Sequence, residues 1–273
     1  MDVLLGNLPS IFALIATGIF AGLLAGLFGV GGGIVIVPVL FFLFQSFDVS
    51  PQSAILIATA TSLATIVPTS LSSILSHYSK GNVDIGLLKS WGVYILIGVI
   101  LGSLLVTKYG GQWLSTLFGV VASFSAMNML FMPNKTSDTD SLPGKVGQRI
   151  IASCIGFFST MVGIGGGTFS VPILTAYRYP AHKAVGTAAG IGLIISLPAA
   201  ITMLTFGVTP NDAPLATYGL VNLLGFICIV PLTVIFAPLG TQLASMMDAE
   251  ILKKVFAVVL LATGLRMLTQ LFT

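Results

Sequence analysis

From Leu8 to Phe28 the chain carries no charged residue, and charge-poor apolar runs of this kind recur along its whole length. Several are long enough to cross ~30 Å of hydrocarbon as a helix. Hydrophobic residues make up 56% of the chain and charged residues 7%, with mean hydropathy +1.06. A soluble domain carries about a quarter charged residues because it must present a solvated surface. Eleven basic and eight acidic side chains cannot cover a 28.4 kDa globule. The chain therefore reads as an all-α polytopic membrane protein surrounded by lipid. The first run has only Asp2 before it and further apolar runs after it, so it reads as a mature transmembrane helix rather than a leader.

Ten apolar segments can be drawn. The first five are 8–28, 34–47, 53–76, 90–107 and 112–132; the second five are 149–163, 167–178, 184–206, 215–239 and 250–271. Met132 to Lys145 is the long polar stretch between them, which divides the chain into a first repeat (1–132), a linker on the cytoplasmic side (133–148) and a second repeat (149–273). The two halves align. Ile19 to Leu40 matches Ser153 to Leu174 at an offset of 134 (163 − 29), which places Gly29, Gly31, Gly32, Gly33 and Pro38 on Gly163, Gly165, Gly166, Gly167 and Pro172. Near the ends of the halves the offset is 138 (240 − 102), with Gly102 on Gly240 and Phe118 on Phe256. This is an internal duplication.

Each half holds an odd number of crossings, whether all five segments span or the first two form a re-entrant pair. A second copy of an odd repeat lies upside down relative to the first, so the halves should form an inverted-topology pair. Loop charge agrees. With an external amino terminus, Lys80, Lys89, Lys135, Lys145, Arg149, Arg178, Lys183, Lys253 and Lys254 fall inside, whereas Asp2, Asp48 and Asp212 fall outside with Lys108 as the exception. That bias is the positive-inside rule, and it places both termini outside.

The repeated core reads Gly-x-Gly-Gly-Gly-x4-Pro. Each glycine weakens a helix interior by roughly 1 kcal/mol relative to alanine, and a backbone break at membrane depth must be buried in protein or line a cavity. The helix restarting after the break presents amide N–H groups without intrahelical partners at the positive end of its dipole, a setting suited to an anion. Close packing of helices through glycine is the alternative reading. A dinucleotide fingerprint is discounted, since Ile34 and Thr168 occupy its sixth position and no strand precedes it.

The segments after the cores, Ala58 to Ser76 and Ala184 to Thr202, are rich in small polar residues. Thr59, Thr61, Ser62 and Thr187 rank first as hydroxyl donors to an anion, although membrane Ser and Thr commonly bond back to their own helix. Pro68 and Pro198 should kink these segments, with Pro38 and Pro172 as hinges after the cores. Asn128 and Asn222 serve equally well as interhelical bonds or ligand contacts. Arg266 should snorkel towards the carboxyl terminus. His77 and His182 read as solvated at loop edges, and Cys154 and Cys228 as buried small apolar residues. No catalytic constellation, metal-ligand pattern, cofactor motif or nucleic-acid patch is present, so no enzyme activity, cofactor or nucleic-acid partner is expected.

The paired cores, His77 to Asp84 (HYSKGNVD), Ala184 to Thr187 (AVGT) and Ala237 to Leu243 (APLGTQL) resemble the TauE/SafE family. The resemblance covers essentially the whole chain. It implies a prokaryotic cytoplasmic-membrane permease for a small sulfur-containing anion such as sulfite, thiosulfate or an organosulfonate, with the two glycine–proline cores at its centre. One repeat would rock against the other around a midplane site, with export driven by the membrane potential. A channel-like anion facilitator, an importer of a small carboxylate or other anion, and an assembly factor without flux are the alternatives. Besides lipid and the anion, a second copy of the chain is a partner the sequence allows.

Overall fold

The computed structural model describes residues 8–111, 113–131 and 142–246, with scattered helical positions between 254 and 268. Most of the linker and of segment 250–271 therefore lies outside the described residues, as does the Asn128 side chain. The described part is helical apart from one short hairpin. Its helices are α1 (Leu8–Phe28), α2 (Gly33–Gln45), α3 (Pro51–Ser79), α4 (Ile85–Tyr109), α5 (Trp113–Phe131), α6 (Lys145–Val162), α7 (Gly167–Ala176), α8 (Ala181–Thr205) and α9 (Leu223–Met246). Five of them, α1, α3, α4, α8 and α9, are long and apolar enough to cross a bilayer.

At 1.5 Å per residue, α2 with 13 residues and α7 with 10 reach only about 20 and 15 Å, short of the ~30 Å needed. Neither spans alone. The chain folds back at the first break: a Cβ on Gly32 would stand 2.6 Å from the carbonyl oxygen of Ala21, two turns before the end of α1.

Segment 215–239 is displaced from its expectation. Residues 215–222 form a turn and a two-stranded hairpin, Thr217–Tyr218 with Val221–Asn222, before α9 begins. Ala216 and Gly219 take left-handed backbone (φ 61° and 55°), which a helix cannot accommodate. Two further expectations are corrected. His77 is 3% exposed rather than solvated, whereas Cys154 and Cys228 are free and exposed rather than buried. Arg266 lies with its guanidinium 4.3 Å over the Phe42 ring.

The helices cross through glycine, and the crossings are reciprocal. In one, Gly22 of α1 lies against Thr233 and Phe236 of α9, and Gly240 against Leu23. In the other, Gly156 of α6 lies against Ile95 of α4, and Gly102 against Phe157. Adding 134 to the α1 positions and subtracting 138 from Thr233 and Gly240 converts the first set into the second. Each half thus packs its first helix on the fourth helix of the other. Between them, α3 and α8 are equivalent at an offset of 130 (Pro198 − Pro68), and they run antiparallel. Along α3 the sequence Ser70, Ile74, His77 meets Gly192, Gly190, Gly186 of α8 in reverse order.

Candidate functional site

The two glycine breaks touch. Carbon added at Gly33 would stand 2.5 Å from the Gly163 carbonyl oxygen, and at Gly167 it would stand 2.7 Å from that of Gly29. At Gly165 it would overlap the carbonyl oxygen of Val30. The copies differ in backbone: Gly29, Gly31 and Gly32 are all left-handed (φ 66°, 72° and 80°), whereas in the second core only Gly163 is (φ 73°). One motif therefore adopts two geometries in the same molecule.

Gly32 and Gly166 stand at the N-cap positions of α2 and α7 and offer no side-chain cap, so the first amides are not satisfied there in the usual way. Of the four hydroxyls singled out in sequence, Ser62 Oγ donates to the Gly163 carbonyl at 2.8 Å, inside the break contact. Thr61 Oγ1 accepts the Asn222 N–H (2.8 Å), and Thr187 Oγ1 accepts the Asp84 N–H (3.0 Å). Thr59 Oγ1 is buried beside Gly163 and has no partner among the described residues.

Ser70 and Thr168 were not among those hydroxyls. Both are at most 2% exposed and partnerless among the described residues. Ser70 stands where the breaks meet. The point a Cβ on Gly192 would occupy lies 2.9 Å from Ser70 Oγ and 3.6 Å from the Gly166 amide nitrogen, and a Cβ on Gly31 would lie 3.3 Å from the same hydroxyl. The Ser70 hydroxyl and the Gly166 amide nitrogen, just before an uncapped helix, therefore both come close to Gly192, where α3, α7 and α8 meet. Position 70 lay within a Ser/Thr-rich run, and nothing in composition separates a hydroxyl that finds a partner from one that does not. A second hollow, lined by Ala64, Leu197, Ala200, Leu223 and Phe226, offers no polar group to an anion.

Each end of this core is tied by a carboxylate. Asp84 caps α4, accepting the Leu87 N–H at 2.9 Å, and Tyr179, from the turn before α8, donates its hydroxyl to the same carboxylate. Asn222, offset by 138 from Asp84, caps α9 in the same way through Gly225 (2.8 Å), and its amide nitrogen donates to Leu215 and Thr217. Its bonds are thus structural. The Tyr179 hydrogen bond holds Asp84 below the usual carboxylate range, and burial pushes the Tyr179 hydroxyl up. At the opposite end, Asp212 accepts the Ser50 N–H (2.8 Å) and the Ser53 hydroxyl (2.6 Å), which tether the α8–α9 loop to the start of α3. The Ser50 and Ser53 bonds lower Asp212 to about 2.

Because the folded value of Asp212 lies below its ordinary 3.8, the tether is fully present above that value and is lost as pH falls towards about 2. Asp212→Asn should therefore lower the melting temperature at pH 7, and the gap to wild type should close as pH approaches 2. An equal gap at both pH values would show that another group carries the acid dependence.

A bundle of broken, reciprocally packed apolar helices, five of them long enough to cross a bilayer, defines the class: a multi-pass membrane protein. The sulfite exporter TauE/SafE family model matches residues 14–267, and the chain belongs to that family. It is 29% identical over 250 residues to a probable membrane transporter protein of Haemophilus influenzae, covering 92% of this chain and 95% of that one. It is 32% identical over 205 residues to one of Methanocaldococcus jannaschii (70% and 72%), and 27% identical over 290 residues to YunE, a probable membrane transporter protein of Bacillus subtilis (96% and 98%). No solved structure matches the chain.

Proposed function

We propose that this protein is a permease of the prokaryotic cytoplasmic membrane that exports a small sulfur-containing anion, such as sulfite, thiosulfate or an organosulfonate. The observation that carries the reading is the convergence of Ser70 Oγ and the Gly166 amide on the space beside Gly192. Hydroxyl and amide donors at a helix N-terminus bind an oxyanion without needing a fixed positive charge there. The antiparallel α3 and α8 support an inverted pair across the bilayer, with the Lys80 and Lys89 end inside and both termini outside. Different backbone geometry in two copies of one core supports alternating access, in which the copies exchange conformations. An anion moving out of a negative interior gains ~2.3 kcal/mol per charge per 100 mV, so export needs no coupling ion.

Purified protein should be stabilised by several degrees in thermal shift by sulfite, thiosulfate or methanesulfonate, because a ligand at a hundred times its Kd contributes about 2.7 kcal/mol. Acetate should do so less. In proteoliposomes the flux should saturate and respond to an imposed potential. Flux that never saturates would indicate a channel, and neither binding nor flux with any of these anions would leave the permease reading without support.

A further inference from the structure

The last turns of α3 carry a buried polar face that runs from the candidate site to the Lys80 end. Ser70, Ser73 and His77 are spaced three and four residues apart and lie on one side of the helix. Ser73 Oγ donates to the Ala25 carbonyl at 3.2 Å, and His77 Nε2 lies 3.0 Å from the Gly26 carbonyl oxygen. A carbonyl only accepts, so Nε2 carries the hydrogen and Nδ1 is the bare nitrogen of a neutral imidazole. That Nδ1 is buried and has no partner among the described residues. The backbone of α8 packs against the same turn of α3: a Cβ on Gly186 would stand 3.1 Å from His77 Cβ.

The charges around the ring favour an anion as the missing partner. Helices α1 and α9 contribute no charged residue. Lys80 caps the same helix, and α8 brings His182 and Lys183 in its first turn. Lys80 Nζ donates to the Thr241 carbonyl at 3.0 Å. Asp84, at the start of α4, is engaged by Tyr179. The Ala25 and Gly26 carbonyls belong to the last turn of α1, at the negative end of its dipole.

The geometry points to His77 as a proton-dependent anion ligand at the Lys80 end of the path from Ser70. The imidazole takes a proton from water at Nδ1. The resulting Nδ1–H donates to an oxygen of the anion while Nε2–H remains on Gly26, and departure of the anion returns the proton to water. One proton is bound per anion. This rests on the permease reading and adds a pH dependence that fixed donors at Ser70 and Gly166 do not have.

The test is thiosulfate binding to the purified full chain between pH 5.5 and 8.5, a range in which thiosulfate stays a dianion. The wild-type Kd should rise by up to about tenfold per pH unit once the imidazole deprotonates. His77→Gln should bind at the weak alkaline level throughout, with no slope. A flat wild-type profile, or a slope retained in His77→Gln, overturns the inference and leaves the permease reading standing. Binding of no sulfur anion at any pH overturns both. Should His77→Gln fail to reach the membrane, His182→Gln leaves one imidazole to follow by NMR, because the chain has two histidines. Thiosulfate is expected to move its titration to higher pH, and an unmoved titration overturns the inference.

Discussion

Gly165→Ala is expected to abolish accumulation of folded protein, while Gly144→Ala leaves it unchanged. A methyl group at position 165 would overlap the Val30 carbonyl oxygen, with the Val30 carbonyl carbon at 2.7 Å and the Gly31 amide nitrogen at 3.3 Å. All three atoms are backbone, so no side chain can rotate away, and relief requires the two breaks to part. Overpacking against side chains alone costs about 1–3 kcal/mol, and a forced backbone separation costs more. Gly144 has ordinary backbone (φ −52°) and nothing within 4 Å of the added carbon, so it is the matched control. Size-exclusion profiles and melting temperatures of fluorescent fusions read the difference. A monodisperse Gly165→Ala protein melting with wild type would mean that the breaks are not in contact.

Gly192→Ala should separate function from stability. This glycine is inside α8 with no left-handed backbone requirement, where alanine is favoured by ~1 kcal/mol. The new methyl group would occupy the space between Ser70 Oγ and the Gly166 amide, and the serine hydroxyl can turn aside. Melting temperature should hold or rise while anion affinity falls at least tenfold, or about 1.4 kcal/mol. Thermal shift with and without thiosulfate measures both quantities on one sample. Affinity equal to wild type would place the anion elsewhere and remove the central observation from the permease reading.

Much of the scaffold was legible because hydropathy and duplication are long-range signals. The segments drawn at 8–28 and 112–132 fall within a residue of α1 and α5. Residues 215–222 were drawn into a helix because Leu215, Ala216, Leu220 and Val221 are apolar; hydropathy averages cannot see the turn geometry between them. A cap signal was available there, since Asn222 and Asp84 each precede an apolar run and bond the amide three residues on. His77 reads as solvated in sequence because it follows the apolar run, but α3 extends to Ser79 and the residue is buried, with Nε2 against the Gly26 carbonyl of α1. Ser70 could not be told from Ser62. Their difference is whether a carbonyl of the other half lies within reach, and only the fold decides that.

The reciprocal crossings bear on how such a chain could have arisen. Because α1 meets α9 at Gly22 and Gly240, and α6 meets α4 at Gly156 and Gly102, each closely packed pair takes one helix from either half. A repeat taken alone leaves its first and fourth helices without the surfaces their glycines fit. A half-length polypeptide of this design would be complete only when paired with a second copy of itself. Joining two such genes end to end supplies both copies in a single chain, after which they are free to diverge, as His77 and its counterpart Gly207, at the offset of 130, already have.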